Sequence, residues 1–159
     1  MNKTLRLALA GIFTALVFLA TYFIKVPAGT GYINAGDGVI LLAAVWLGYP
    51  AVIPAALGSA LADIAAGYAL YAPGTFAIKG VMATLTVLIL KNMEVKFLSK
   101  IMAFCLAEAA MITGYFFYET LLYGFAGAFA GVLPNSVQAA AGVVLGMALS
   151  MLPRKNNFS

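Results

Sequence analysis

The chain reads as an all-α integral membrane protein, a bundle of six transmembrane helices with both termini in the cytoplasm, and three observations carry that reading. Of its 159 residues, 64% are hydrophobic, and the mean hydropathy is +1.03. Only 9% are charged, against about 25% in soluble domains. Apolar stretches recur at 5–24, 37–47, 51–67, 75–90, 98–122 and 135–152, separated by Gly, Pro and Lys clusters. The length suits a single domain, residues 1–159, with membrane lipid as its solvent.

In the first stretch, Lys3 and Arg6 precede an apolar run to Phe23. The run is longer than the roughly 7–15 residues of a signal-peptide core, so it reads as a retained span. The second stretch is short, and Gly48, Tyr49 and Pro50 form a tight turn after it. The other breaks fall at 27–36, 68–74, 91–97 and 123–134, with Pro134 placed to open the last helix. By alternate loops, one side receives Lys3, Arg6, Lys91, Lys96, Lys100, Arg154 and Lys155, and the other Lys25 and Lys79. The richer side is assigned to the cytoplasm.

Helix phase gathers the polar residues. In the third stretch Ala51, Ala55, Ser59, Asp63 and Gly67 recur every fourth residue, which sets Asp63 on a small-residue stripe facing protein. In the fifth, Glu108, Ile112, Tyr115 and Glu119 share a stripe, with Glu108 roughly 16 Å deeper than Glu119. Glu108 accordingly reads as a structural or protonated carboxyl. In the sixth, Asn135 and Gln138 sit above Gly142 and Gly146 on one face, and Lys79 stacks over Thr75 about one turn inside the fourth.

Asp37, Asp63, Lys79, Glu119, Asn135 and Gln138 thus converge at the outer ends, with Tyr32, Asn34, Tyr71 and Tyr115 beside them. Ionisable groups at membrane depth mark a functional site by default. Plainer readings stand alongside: Asp37 as a helix cap, Lys79 as counter-ion to Asp63 or Asp37, and the tyrosines as an interfacial belt. Ala8, Gly11 and Ala15 form a small-residue face on the first helix, suited either to packing within the bundle or to docking a partner.

These features together resemble an S-component of an energy-coupling factor (ECF) vitamin transporter. The resemblance runs through nearly the whole chain and is closest to the subgroup handling hydroxymethylpyrimidine, pyridoxine and related compounds. It is carried by the Gly11/Ala15 pair, Asn34-Ala35-Gly36-Asp37, Gly58-Ser59-Ala60-Leu61-Ala62-Asp63 and, most specifically, Tyr71-Ala72-Pro73-Gly74-Thr75-Phe76-Ala77-Ile78-Lys79-Gly80. Gly11 stands where the family's Ala-xxx-Ala motif has its first alanine. The resemblance implies capture of a small vitamin-like molecule outside and delivery by toppling in the membrane. Energy would come from a transmembrane coupling subunit and two cytoplasmic ATPases. The chain has no Gly-x-x-x-x-Gly-Lys-[Ser/Thr] loop of its own.

Other classes fit less well. The basic residues form no patch for nucleic acid. With no histidine and one cysteine, Cys105, read as a small packing residue, the chain has no His/Cys metal site and no His-based triad. No cofactor or enzymatic activity is expected. An aspartyl protease would need glycine where Asn34 stands. A stand-alone ion-coupled carrier using Glu108 is the main rival, against which count the small size and the lack of an inverted repeat. Three outer acids facing two lysines favour a neutral or weakly basic heterocycle over a multiply anionic one, and pyridoxine, hydroxymethylpyrimidine, a modified purine base and riboflavin all fit that description.

Overall fold

The computed structural model describes residues 3–29, 31–94 and 96–152. Arg154 and Lys155 lie outside the described residues. Helix α1 (Lys3–Phe23) leads into a hairpin of β1 (Lys25–Ala28) and β2 (Gly31–Asn34). Then come α2 (Gly36–Leu47), a 3-10 turn (Tyr49–Ala51), α3 (Val52–Ala65), α4 (Ala72–Lys91) and α5 (Phe97–Leu149).

Helix α5 runs 53 residues but reverses at Gly124, whose φ of 75° and ψ of 174° break the helical path. A positive φ costs little only where there is no Cβ. The reversal is recorded in the contacts. Gly131, Gly142 and Gly146 sit against Glu119, Glu108 and Phe104 respectively, and Lys100 donates to the Ser150 carbonyl at 3.1 Å. Each of these pairs is centred on Phe125, so the two arms are antiparallel neighbours in constant register.

This corrects the expected break at 123–134. The break is confined to Gly124; the residues after it are helical, and Pro134 lies inside the second arm rather than opening it. Proline cannot donate to the carbonyl four residues earlier, here Ala130. Backbone in lipid must satisfy its hydrogen bonds internally, and that requirement outweighs the helix-breaking tendency of the Gly-rich segment. Helix α4 likewise starts earlier than expected, with Pro73 in its first turn, where proline is tolerated. Lys79 therefore sits about two turns inside.

The segment at 27–36, expected as a loop, holds most of the hairpin, which begins at Lys25 and pairs Lys25 with Asn34, Val26 with Ile33, Pro27 with Tyr32 and Ala28 with Gly31. Helix α2 is buried on nearly all sides, from Ile40 and Leu41 through Leu47, as a helix apolar all round should be. Helix α1 buries only the Phe13, Val17, Thr21 stripe. A Cβ at Gly58 would lie 2.7 Å from the Thr14 carbonyl, so glycine at that position of α3 lets the two backbones meet.

The outer surface carries Leu7, Ile12, Leu16, Phe23, Ile64, Phe117, Phe129 and Val144, far more exposed apolar area than a soluble monomer shows. Cys105 is exposed on this surface rather than packed inside. Three helices are long and apolar enough to cross a membrane, Lys3–Phe23, Ala72–Lys91 and Phe97–Leu149, and shorter apolar helices cover Gly36–Leu47 and Tyr49–Ala65. The protein is membrane-embedded. Its basic residues divide by end: Arg6 and Lys91 line one cavity, while Lys25 and Lys79 belong to the opposite end.

Candidate functional site

At the hairpin end, a cavity of about 40 Å³ is lined by Gly31, Tyr32, Asn34, Asp63, Tyr68, Tyr71, Thr75, Tyr115 and Gln138. Strand β2, helices α3, α4 and α5, and the 66–71 connection, which carries Tyr68 and Tyr71, supply these groups where they meet. The α3 stripe delivers Asp63, 5% exposed, beneath the hairpin. Its carboxylate accepts a short hydrogen bond from the Tyr32 hydroxyl. Burial, then the charge and hydrogen bond of Asp63, holds the Tyr32 hydroxyl well above the usual phenol range. Tyr32 is therefore a neutral donor at any physiological pH.

Thr75, in the first turn of α4, pairs with the Tyr115 hydroxyl at 2.9 Å. Tyrosine rings form one wall: Tyr32 and Tyr68 are 5.0 Å apart between centroids, Tyr68 and Tyr71 6.3 Å, and Tyr71 and Tyr123 6.1 Å. Such a wall offers flat π-faces and hydroxyls to a planar ligand. The Tyr71 hydroxyl donates to Glu119 at 3.2 Å, tying that buried carboxylate to the wall.

Behind the cavity lies a buried polar chain. Lys79 donates to Asp37 Oδ1 at 2.5 Å, and Gln138 Nε2 donates to Asp37 Oδ2 at 2.6 Å. Gln138 Oε1 in turn accepts from both the backbone and side-chain nitrogens of Asn34 at 3.0 Å. Asn34 Oδ1 accepts from the Gly36 backbone at 2.9 Å. This run connects α4, α2, α5 and β2. It also rules out the plainer reading of Asp37 as a helix cap, since its two oxygens are turned to Lys79 and Gln138. Of the two counter-ion choices for Lys79, Asp37 is the one realised.

Below this chain sits Glu108, 2% exposed, with neither carboxylate oxygen hydrogen-bonded. A Cβ at Gly142 would fall 2.2 Å from Glu108 Oε1 and 3.0 Å from Asp37 Cβ, so glycine there makes room for both acids. Among the described residues no group of three or more His, Cys, Asp or Glu is arranged to hold a metal.

Of the residues expected at the site, Tyr32, Asn34, Asp63, Tyr71, Tyr115 and Gln138 line the cavity. Asp37, Lys79 and Glu119 stand directly behind it, bonded to lining residues or their partners. Asn135 is half-buried and does not line it. Gly31, Tyr68 and Thr75 also line it and are missing from the set the sequence pointed to. Helix phase carries a signal for Thr75, which lies one turn before Lys79 on the same face. On α1, Ala8, Gly11 and Ala15 are all exposed, and a Cβ at Gly11 would meet nothing within 4 Å. The face is not used for packing within the bundle.

An apolar helical bundle closed around a tyrosine-walled polar cavity near one end defines a membrane-embedded binding protein. The chain belongs to the family ECF-type riboflavin transporter, S component, which it matches over residues 1–155. It is also 34% identical over 134 residues, 83% of this chain and 88% of the relative, to an uncharacterized protein in the gap 3'region of Pyrococcus woesei. The family is one of membrane components for vitamin transport, substrate-binding subunits that work with an ECF module, and is not an enzyme family.

Proposed function

We propose that this chain is the high-affinity capture subunit of an ECF-type importer in a prokaryotic cell membrane. In this reading it crosses the membrane six times, as α1 to α4 and the two arms of α5. Both termini are cytoplasmic and the tyrosine-walled cavity opens outward. The basic end, with Arg6, Lys91 and Lys100, accords with that orientation.

The observation that carries the substrate reading is the pairing of Lys79. Its ammonium is neutralised by Asp37, and Lys25 rests on the Tyr22 ring, 3.9 Å from its centroid. The cavity lining itself contains Asp63 and no cation. A phosphorylated vitamin would find no counter-charge, whereas a neutral or weakly basic aromatic heterocycle would find stacking faces, hydroxyl oxygens of Tyr32 and Tyr115 as acceptors, and the Asp63 carboxylate as a further acceptor for its own N–H and O–H groups. The cavity is far below the roughly 300–1,000 Å³ of ligand pockets, so binding requires the hairpin and tyrosines to move apart. A single ring of the pyridoxine or hydroxymethylpyrimidine class needs less opening than a three-ring riboflavin. Tyr32, Asn34, Asp63, Tyr71, Tyr115 and Gln138 are assigned to ligand contact. Asp37, Lys79 and Glu119 hold those groups in place, and Asn135 stands at the mouth.

Delivery follows when the Ala8, Gly11 and Ala15 face docks on a transmembrane coupling subunit and the loaded chain topples, driven by two ATPases. A second reading rests on Glu108, whose buried carboxyl beside Asp37 is placed to carry a proton in a stand-alone ion-coupled carrier. Reconstitution separates the two. Uptake of labelled pyridoxine, hydroxymethylpyrimidine or riboflavin only with the coupling subunit, ATPases and ATP supports the first reading. Uptake by this chain alone under a proton gradient overturns it.

A further inference from the structure

A second cavity, of about 370 Å³, lies at the end away from the tyrosine wall. It is formed where the N-terminal turn of α1, the turn after α2 and the C-terminus of α4 come together. Its lining is Arg6, Ala44, Val45, Leu47, Gly48, Tyr49, Pro50, Val87, Leu90 and Lys91. From Thr75 to Lys91 is about 24 Å along α4, so the two cavities are separate sites.

The lining divides by chemistry. Val45, Leu47, Val87 and Leu90 make an apolar floor, while both charged groups, Arg6 and Lys91, are cations. Neither has an acidic partner among the described residues, where the ion pairs are Lys79 with Asp37 and Lys96 with Glu94. The Lys91 ammonium lies 5.7 Å from the Tyr49 ring centroid, and Tyr49 is itself 45% exposed. Helix ends carrying Lys, Arg and Tyr beside apolar side chains sit at headgroup level in a bilayer. Two uncompensated cations above an apolar trough match one kind of occupant, an anion joined to a hydrocarbon chain.

We propose that this cavity is a binding site for an anionic phospholipid, with the phosphate between Arg6 and Lys91 and an acyl chain over Val87 and Leu90. Arg6 supplies a planar fork for two phosphate oxygens, and Lys91 supplies a point charge whose stem covers apolar surface. A bound lipid would tie the start of α1 to the end of α4. It would thereby couple the bundle's tilt to the composition of the leaflet at this end.

The test is native mass spectrometry of the intact protein in detergent, titrated separately with dioleoylphosphatidylglycerol and dioleoylphosphatidylcholine. The expected result is one retained phosphatidylglycerol per chain and no comparable phosphatidylcholine adduct. Arg6→Gln or Lys91→Gln should each weaken retention about five-fold, and the double variant about thirty-fold. Lys91→Arg should retain native affinity, as should Lys100→Gln, a charge change at the same end outside the cavity. If the double variant is not monodisperse, the comparison of Lys91→Gln with Lys91→Arg decides alone. Equal retention of the two lipids overturns the proposal, as does displacement of the lipid by equimolar glycerol phosphate, which would make this a soluble-phosphate site. Unchanged lipid retention with lost coupling-subunit capture in Arg6→Gln would make it a protein contact and overturns it too.

Discussion

Replacing Lys79 by methionine removes one half of a buried ion pair while keeping a side chain of similar length. Lys79 is 2% exposed and Asp37 is fully buried, so solvent cannot take over the lost charge. Breaking such a pair by removing one partner costs about 3–5 kcal/mol. For a chain of this length each kcal/mol is worth roughly 2–4 °C in melting temperature, so Lys79→Met should melt about 10 °C lower. Asp37→Asn, which strands the ammonium, should cost about as much. The double variant replaces the pair with neutral groups, and the carboxamide oxygen introduced by Asp37→Asn can still accept from Gln138. It should recover most of the loss, so that the coupling in the double-mutant cycle, the two single losses less the small residual loss of the double, is about 4–8 kcal/mol. The assay is thermal melting in detergent, read as the surviving monodisperse fraction. Ligand affinity should follow the same pattern, because Asp37 orients the Gln138 amide that lines the cavity. Additive losses in the double variant would refute the pairing and the indirect role given to Lys79.

Three further predictions test other parts of the structure. Gly142→Ala places a methyl against Glu108 and Asp37 and should destabilise by about 1–3 kcal/mol; Glu108→Ala in the same chain should restore most of it, and failure to do so would remove Glu108 from beneath the site. Gly11→Leu or Ala15→Trp should abolish reconstituted transport while leaving the isolated chain's ligand affinity within about two-fold, since the face touches nothing in the bundle; a parallel fall in affinity would refute docking. In a Cys105→Ser background, Val26→Cys should be labelled by an impermeant reagent from outside intact cells and Met93→Cys only after permeabilisation, and the reverse pattern would place the tyrosine-walled cavity on the cytoplasmic side.

Much of the helical framework was legible because lipid-facing helices are written in long apolar runs, and Asp63 was placed correctly because Ala51, Ala55 and Ser59 share its phase. The hairpin was not legible. Its strands are four residues each, too short for a two-residue alternation to stand out, and Gly29 and Gly31 read simply as loop. The extent of the break at 123–134, which narrows to Gly124, was not legible, for the opposite reason. The glycines of this stretch and Pro134 are breakers by local propensity, yet packing of one α5 arm on the other keeps the rest of it helical. Helix phase brought Lys79, Asp37 and Asp63 to one end, but it could not choose between the carboxylates. That choice depends on the rotation of α2 against α4, which the sequence pattern of a helix buried all round does not encode.

The most direct measurement is the identity of what the protein carries. Small molecules released from gently purified, unboiled protein should contain one unphosphorylated vitamin-like heterocycle in near-stoichiometric amount. Preparations of Tyr32→Phe and Asp63→Asn should be depleted of it by about 5- to 150-fold in affinity. An enriched phosphorylated compound, or a heterocycle retained equally by folded Tyr32→Phe and Asp63→Asn protein, would contradict the assignment of this cavity as the capture site.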